Sequence, residues 1–333
     1  MGFYETGGRA GRSRGDFLTS PEVGPLFGAV VGRALDAWWD ELGRPDPFVV
    51  VEAGAGPGTL AIAVAAAQPA CAGALRYVLV ERSEAQRARH GEHLSLSRPE
   101  VTGAWRGPEF VSLPDLPMGS VADVILANEL LDNLPFDLVE RREDGWGSVR
   151  VGLSSDGESL AEVLTPATPG DAALASELVP DPGVGDRLAL QHGAVEWLRT
   201  ALDRVERGRV VVFDYMTTSR EMAARGTDWL RTYRGHERGG DPLDLPGDND
   251  VTAEVAVDQL ARVAPPSTDR LQSEFLAAHG IDELVDEGRR VWEERAHLGD
   301  LAAIKARSRV AEAEALTDPG GLGGFRVLEW QRP

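Results

Sequence analysis

Lysine is nearly missing from this sequence: Lys305 is the only one, and arginine carries almost all of the positive charge. Cysteine is as scarce, with Cys71 alone among 333 residues. A single thiol forbids an internal disulfide and any cysteine-based zinc site, and its Ala-rich surroundings point to a small packed filler. No apolar run reaches the length that spans a bilayer. The N-terminal arginines Arg9, Arg12 and Arg14 lack the apolar stretch of a secretory signal, so a cytoplasmic location is expected. Positive charge is also outweighed overall, with 34 Lys and Arg against 54 Asp and Glu and a formal net charge of −20. Nucleic acids and anionic membranes are poor partners for such a chain, because both need a basic footprint. The excess acid suits a cationic partner or serves solubility alone. The six histidines show no metal-ligand spacing, and no metal is expected.

What is present is a globular composition, 42% hydrophobic, in a chain long enough for one large domain with a sizeable insertion. "TSPE" (Thr19–Glu22) has the form of a helix start: Thr19 or Ser20 as cap, Pro21 in the first turn, and Glu22 three residues beyond Thr19. From Phe48 onward apolar strands alternate with helices. The pattern predicts strands at Phe48–Glu52, Arg76–Glu81, near Val101–Trp105, Val121–Glu129 and Gly208–Tyr215, with helices at Thr59–Ala67, Ser83–Leu94 and Ala194–Val205. Continuous apolar strands separated by helices imply an α/β fold, a mostly parallel sheet with helices on both faces. The final run Phe325–Trp330 is expected as an edge strand, after a mainly helical tail from 268 to 313. No internal repeat is present.

Two stretches break the rhythm. Residues 137–180 alternate like a small antiparallel sheet, and 216–255 are polar, Gly/Pro-rich and too long for an ordinary loop. The expected organisation is a cofactor-binding half over 1–136, a β-rich insertion over 137–180 and a return to the sheet over 181–215. A lid or substrate insertion over 216–255 follows, and 256–333 supply C-terminal helices and the closing strand.

"VVVEAGAGPGTL" (Val49–Leu60) carries the chemistry. Gly54, Gly56 and Gly58 form a strand-to-helix turn, but Thr59 occupies the position where the dinucleotide fingerprint wants glycine or alanine. Glu52, two residues ahead of Gly54, would repel a pyrophosphate. S-adenosylmethionine has no phosphate and carries a sulfonium and an ammonium, which a nearby carboxylate favours. Glu81, ending the second strand, can accept both ribose hydroxyls of either cofactor.

The motifs "GDFLTSPEVGPLFG" (Gly15–Gly28), "VVVEAGAGPGTL", "ANELLDNLPFD" (Ala127–Asp137), "VFDYM", "YRGHE", "PGDNDVTAEV" and "GGLGGFRVL" occur in that order. This set resembles the MidA-like family, which includes the mitochondrial complex I assembly-factor protein arginine methyltransferases. The resemblance implies a class I methyltransferase (Rossmann-like) sheet with family-specific insertions, S-adenosylmethionine as cofactor, and a protein arginine or related nitrogen as acceptor. It also implies that Thr19, Glu22 and Asn128 lie beside the cofactor with the glycine loop. The family carries more residues ahead of the position of Gly2–Glu5. Met216 and Gln191 depart from its pattern, where glycine and an acidic residue are usual.

Glu129 and Asp132 follow a buried strand, on the side where parallel sheets bind ligands. Two carboxylates there can hold a guanidinium or take its departing proton, and are the catalytic candidates. Asp214, Tyr215, Tyr233 and His236 are the candidates for substrate contact. A small-molecule O- or N-methyltransferase, or an assembly factor without turnover, are the alternative readings.

Overall fold

The computed structural model describes residues 19–97, 107–120, 122–155, 157, 159–234, 237–244, 247 and 249–333. Helices α1 (Ser20–Val23) and α2 (Pro25–Glu41) each carry proline in the first turn, where no intrahelical donor is lost. The chain then alternates: β1 (Phe48–Ala53), α3 (Thr59–Ala67), β2 (Leu75–Val80), α4 (Glu84–His93), β3 (Glu109–Leu113) and β4 (Val124–Asn128). After a 3-10 turn over Leu131–Asn133 come β5 (Asp137–Arg142), β6 (Gly145–Leu153), β7 (Leu160–Pro166), α5 (Pro169–Leu178) and β8 (Arg187–Leu190). Helix α6 (His192–Asp203) precedes β9 (Gly208–Asp214). Short elements follow: β10 (Met216–Thr217), α7 (Ser219–Ala224), β11 (Leu230–Arg234), β12 (Glu237–Arg238), β13 (Asp250–Ala253), β14 (Val255–Ala256) and α8 (Val257–Ala261). The chain closes with β15 (Thr268–Leu271), α9 (Gln272–Ala278), α10 (Ile281–Arg295), α11 (Leu301–Thr317) and β16 (Arg326–Arg332).

These elements form two compact units. The first comprises the described residues within 4–129, 201–213 and 266–333. Its seven-stranded sheet has the order β15-β16-β9-β4-β1-β2-β3. Strands β3, β2, β1, β4 and β9 run parallel to one another, and β15 runs antiparallel to β16. The unbroken apolar sequences of β1, β4 and β9 reflect burial on both faces. Phe213 on β9 meets Phe27 of α2 and Phe275 of α9 edge-to-face, with centroids 5.6 and 4.9 Å apart, in a core that also holds Trp38, Val64 and Tyr77. From β1 the chain moves outward through β2 and β3, then returns to β4 on the other flank of β1. That reversal opens a crevice at the carboxyl ends of β1 and β4.

Two expectations change here. Arg326–Arg332 is not the edge: β16 lies between β9 and β15, and β15 is the edge strand. Thr268–Leu271 is too short for its alternation to stand out before a helix, and cross-strand ion pairs hold it, Arg326 to Asp269 and Arg270 to Glu329. The strand expected near Val101–Trp105 lies outside the described residues, and β3 (Glu109–Leu113) is the strand that pairs with β2.

The second unit comprises 130–200 and 214–265. It contains an antiparallel sheet β7-β6-β5-β8, a three-stranded sheet β12-β11-β13 and a parallel pair β10–β14. Val139, Trp146, Leu188, Met222 and Trp229 lie in its core. Within 181–215, the stretch expected to return to the central sheet, β9 pairs with β4 there, whereas β8 pairs with β5 in this unit. Leu188, Ala189 and Leu190 are fully buried in this unit, and Arg187 pairs with Glu140 at 2.8 Å and Glu162 at 2.5 Å. Burial and cross-strand charge together stabilise this pairing.

Candidate functional site

The glycine loop sits at the crevice of the first unit. Gly54, Gly56 and Gly58 have φ of 70°, 52° and 87°, a left-handed run that side chains with a Cβ resist. Glu81, just past β2, fixes the loop from one side. Its Oε2 accepts the Gly56 N–H at 3.0 Å and its Oε1 accepts the Ser83 N–H at 2.8 Å. The carboxylate is thereby oriented by backbone donors at the end of the strand neighbouring β1.

Glu52 does something other than its sequence position suggested. Its carboxyl is buried within the sheet and accepts the Tyr77 hydroxyl at 2.9 Å. Burial pushes it up to about 8, while the Tyr77 hydroxyl and the Ala61 amide in the first turn of α3 act in the opposite direction. Burial therefore disfavours its charged form inside the sheet.

At the end of β4, Asn128 donates from Nδ2 to Glu129 Oε1 at 3.1 Å, and its Oδ1 is a buried acceptor with no partner among the described residues. Glu129 takes φ of 51°, uncommon for a residue with a side chain and typical of strained functional turns. Its N–H donates to the Phe213 carbonyl at 2.8 Å, and its Oε1 also accepts the Ser20 N–H at 3.1 Å. The "TSPE" segment and the end of β4 are therefore brought together. Thr19 donates its N–H to Glu22 Oε2 at 3.3 Å, the reciprocal half of a capping box. Ser20 Oγ donates to Gln272 at 2.9 Å in a buried contact that no local pattern announced.

In the second unit Asp132 and Tyr215 form a buried pair, with the Tyr215 hydroxyl donating to Asp132 Oδ2 at 2.7 Å. Asn133 Nδ2 donates to Asp132 Oδ1 at 2.8 Å. Burial, aided by the charge of Asp250, pushes Asp132 up to about 7 against those two hydrogen bonds. Asp214 is fully buried and accepts the Leu131 N–H at 3.0 Å and the Asp132 N–H at 3.4 Å, so it caps the turn that presents Asp132. Tyr233 lies half-buried on β11, in register with Asp250. His236 lies outside the described residues. Gln191 is buried and tied to Glu254, Ala256 and Gln259 of its own unit, and Met216 pairs with Val255.

The family model of S-adenosyl-L-methionine-dependent methyltransferases matches residues 30–272. The chain belongs to that family. Relatives of this chain include the mitochondrial protein arginine methyltransferase NDUFAF7 homolog of Drosophila melanogaster, 28% identical over 79% of this chain and 63% of that protein. The human protein arginine methyltransferase NDUFAF7 is 28% identical over 81% of this chain and 64% of its own length. The chain thus spans under two thirds of the length of these curated relatives. Among solved structures, a COG1565 superfamily member from Burkholderia thailandensis, bound to S-adenosyl-homocysteine, is similar with a TM-score of 0.79 and 26% identity. The match covers 95% of this chain and 79% of that one.

The glycine loop fits the family's cofactor on two observations. A Cβ added at Gly56 would meet nothing within 4 Å, so the loop backbone faces open space where a ligand can approach it closely. The partnerless Asn128 Oδ1 is a buried acceptor beside that crevice, of the kind an ammonium or hydroxyl satisfies. Gly54, Gly56, Glu81 and Asn128 would hold the cofactor, and Gly58 closes the turn. His90 was missed. It is buried on α4, with Nε2 2.7 Å from the Gly56 carbonyl oxygen and Nδ1 2.9 Å from Ser112 Oγ. Nothing local signals this, because the contact requires β1, β2 and β3 to lie side by side.

Proposed function

We propose that this chain transfers a methyl group from S-adenosylmethionine to a guanidinium or related nitrogen of a protein. The observation that carries the reading is the Gly54–Gly58 turn, open at Gly56 and held by Glu81, at the reversal point of a parallel sheet. Its support for a nitrogen acceptor is that the relatives are named protein arginine methyltransferases. When bound, S-adenosylmethionine supplies a methyl group on a positive sulfonium, which becomes a neutral thioether once a nitrogen lone pair has taken the methyl.

The chain's own residues then have two tasks. Glu81 and the loop backbone orient the donor, since methyl transfer needs little beyond in-line placement. Asp132 is the carboxyl suited to hold the proton that the acceptor nitrogen loses, because burial poises it near neutrality. Glu129 has its carboxylate turned to Ser20 and Asn128, which supports a role in placing the "TSPE" segment beside any contact with the acceptor.

Calorimetric titration with S-adenosylhomocysteine, followed by incubation of the chain with methyl-labelled donor and a cell extract, tests the reading. Saturable binding and label in the protein fraction support it. Label confined to the small-molecule fraction would move the assignment to a small-molecule methyltransferase. Absence of binding would leave a protein that keeps the fold without its chemistry.

A further inference from the structure

We infer that His90 is a positioning residue for the donor site, acting through the Gly56 peptide; the inference rests on the donor-binding reading above. Gly56 is gripped at both of its backbone groups: Glu81 accepts its N–H at 3.0 Å, and His90 lies 2.7 Å from its carbonyl oxygen. A carbonyl oxygen only accepts, so Nε2 carries the hydrogen and donates it. Nδ1 is then the acceptor, and the Ser112 hydroxyl 2.9 Å away donates to it, which selects this tautomer. Burial holds the imidazole below its usual pKa, consistent with the neutral ring this arrangement requires.

The ring also packs against the loop. A Cβ added at Gly58 would lie 3.3 Å from His90 Cδ2 and 3.1 Å from Leu79 Cδ2, closer than ordinary contacts allow. The imidazole and Leu79 therefore crowd the third glycine of the turn, where φ of 87° already disfavours a side chain. Gly56, with φ of 52° and open space above, has no side chain of its own to hold it in place. Two hydrogen bonds from outside the loop do so instead. One comes from the carboxylate that faces the ribose in the donor-binding reading, and the other from His90. Loop and carboxylate are thus set as one piece before any ligand arrives, which lowers the ordering cost of binding.

The test uses the full chain, with S-adenosylhomocysteine titrated calorimetrically and amide hydrogen exchange followed without ligand. His90→Leu keeps bulk and removes the donor. Affinity should fall about tenfold, the scale of a lost buried hydrogen bond plus loop ordering. Exchange across residues 54–58 should quicken while Val49–Ala53 stays protected. His90→Gln, whose amide can donate to the same carbonyl, should stay within about threefold of the wild type. Ser112→Ala should weaken affinity in the same direction by less, because the other tautomer becomes accessible. If His90→Leu does not fold, Ser112→Ala decides in its place. Unchanged affinity and unchanged exchange at 54–58 in the folded variant overturn the inference. A wild type that binds no S-adenosylhomocysteine refutes the donor reading, and exchange at 54–58 then decides on His90 by itself.

Discussion

Tyr77 donates its hydroxyl hydrogen to Glu52 across 2.9 Å, from the middle of β2 to β1, with both side chains buried. The pair explains how an acidic residue sits in an otherwise apolar strand. Protonated, Glu52 is a hydrogen-bonded polar group in the core; ionised, it is a buried charge supported by one hydroxyl and one helix amide. The first state is the cheaper one until the pH reaches about 8.

The sign of the pH dependence follows. The folded-state pKa of Glu52 lies above its ordinary value, so its stabilising effect is fully present below that ordinary value and is lost as pH rises through about 8. Melting temperature should therefore decline from about pH 4.5 to about pH 8 and level off above, and Glu52→Gln should flatten that decline. Gln can still accept the Tyr77 hydroxyl and cannot ionise. Equal slopes for the two proteins in thermal melts would show that Glu52 does not titrate there.

Donor affinity should divide two variants that leave the sheet folded. Glu81→Ala removes the acceptor of Gly56 N–H and the carboxylate at the ribose position. A loss of about 1.5–3 kcal/mol, ten- to a hundredfold in Kd, is expected. Gly56→Val places a branched side chain into the open space above the loop at φ of 52° and should abolish donor binding. Circular dichroism confirms the fold, and calorimetry with S-adenosylhomocysteine reads the affinity. Wild-type affinity in folded Gly56→Val would remove the loop from the site.

Stability at the far side of the same sheet should depend on Glu329. This buried carboxylate on β16 accepts Arg209 of β9 at 3.0 Å and pairs with Arg270 of β15. Glu329→Ala takes its carboxylate from Arg270 and leaves Arg209 to Glu41, and a cost of about 3 kcal/mol is expected. Urea unfolding measures it. A change below about 0.5 kcal/mol would mean that water replaces the carboxylate there.

The parts of this protein that were legible in the sequence are those built from local signals. Thr59–Ala67 is helical to the residue, and β1, β4 and β9 appear where unbroken apolar runs stand. Gly54, Gly56 and Gly58 adopt the left-handed turn their spacing demands. What was hidden depends on which strands become neighbours. Arg187–Leu190, inside the stretch expected to return to the central sheet, pairs antiparallel with β5. Asp214 ends a strand as expected, but its carboxylate caps a turn far away in sequence. The partner of Glu52 was hidden for the same reason, since only the fold reveals that it faces Tyr77.

The last prediction concerns Asp132. A group that accepts a proton from the substrate must be ionised when the acceptor binds. With Asp132 pushed up to about 7, turnover should climb with pH through about 7 and level off above it. The Tyr215 hydroxyl favours the ionised form, so Tyr215→Phe should move the inflection to higher pH and lower the rate at neutrality. Asp132→Asn should erase the inflection and reduce turnover by about a hundredfold. Its donor affinity should stay within about threefold, because its carboxyl is engaged with Tyr215 and Asn133. Initial rates with methyl-labelled donor and the acceptor found in extract, measured across pH for the three proteins, supply the comparison. An Asp132→Asn profile that keeps the wild-type inflection would place the proton acceptor elsewhere. A uniform fall in rate with an unshifted profile in Tyr215→Phe would reduce that tyrosine to packing.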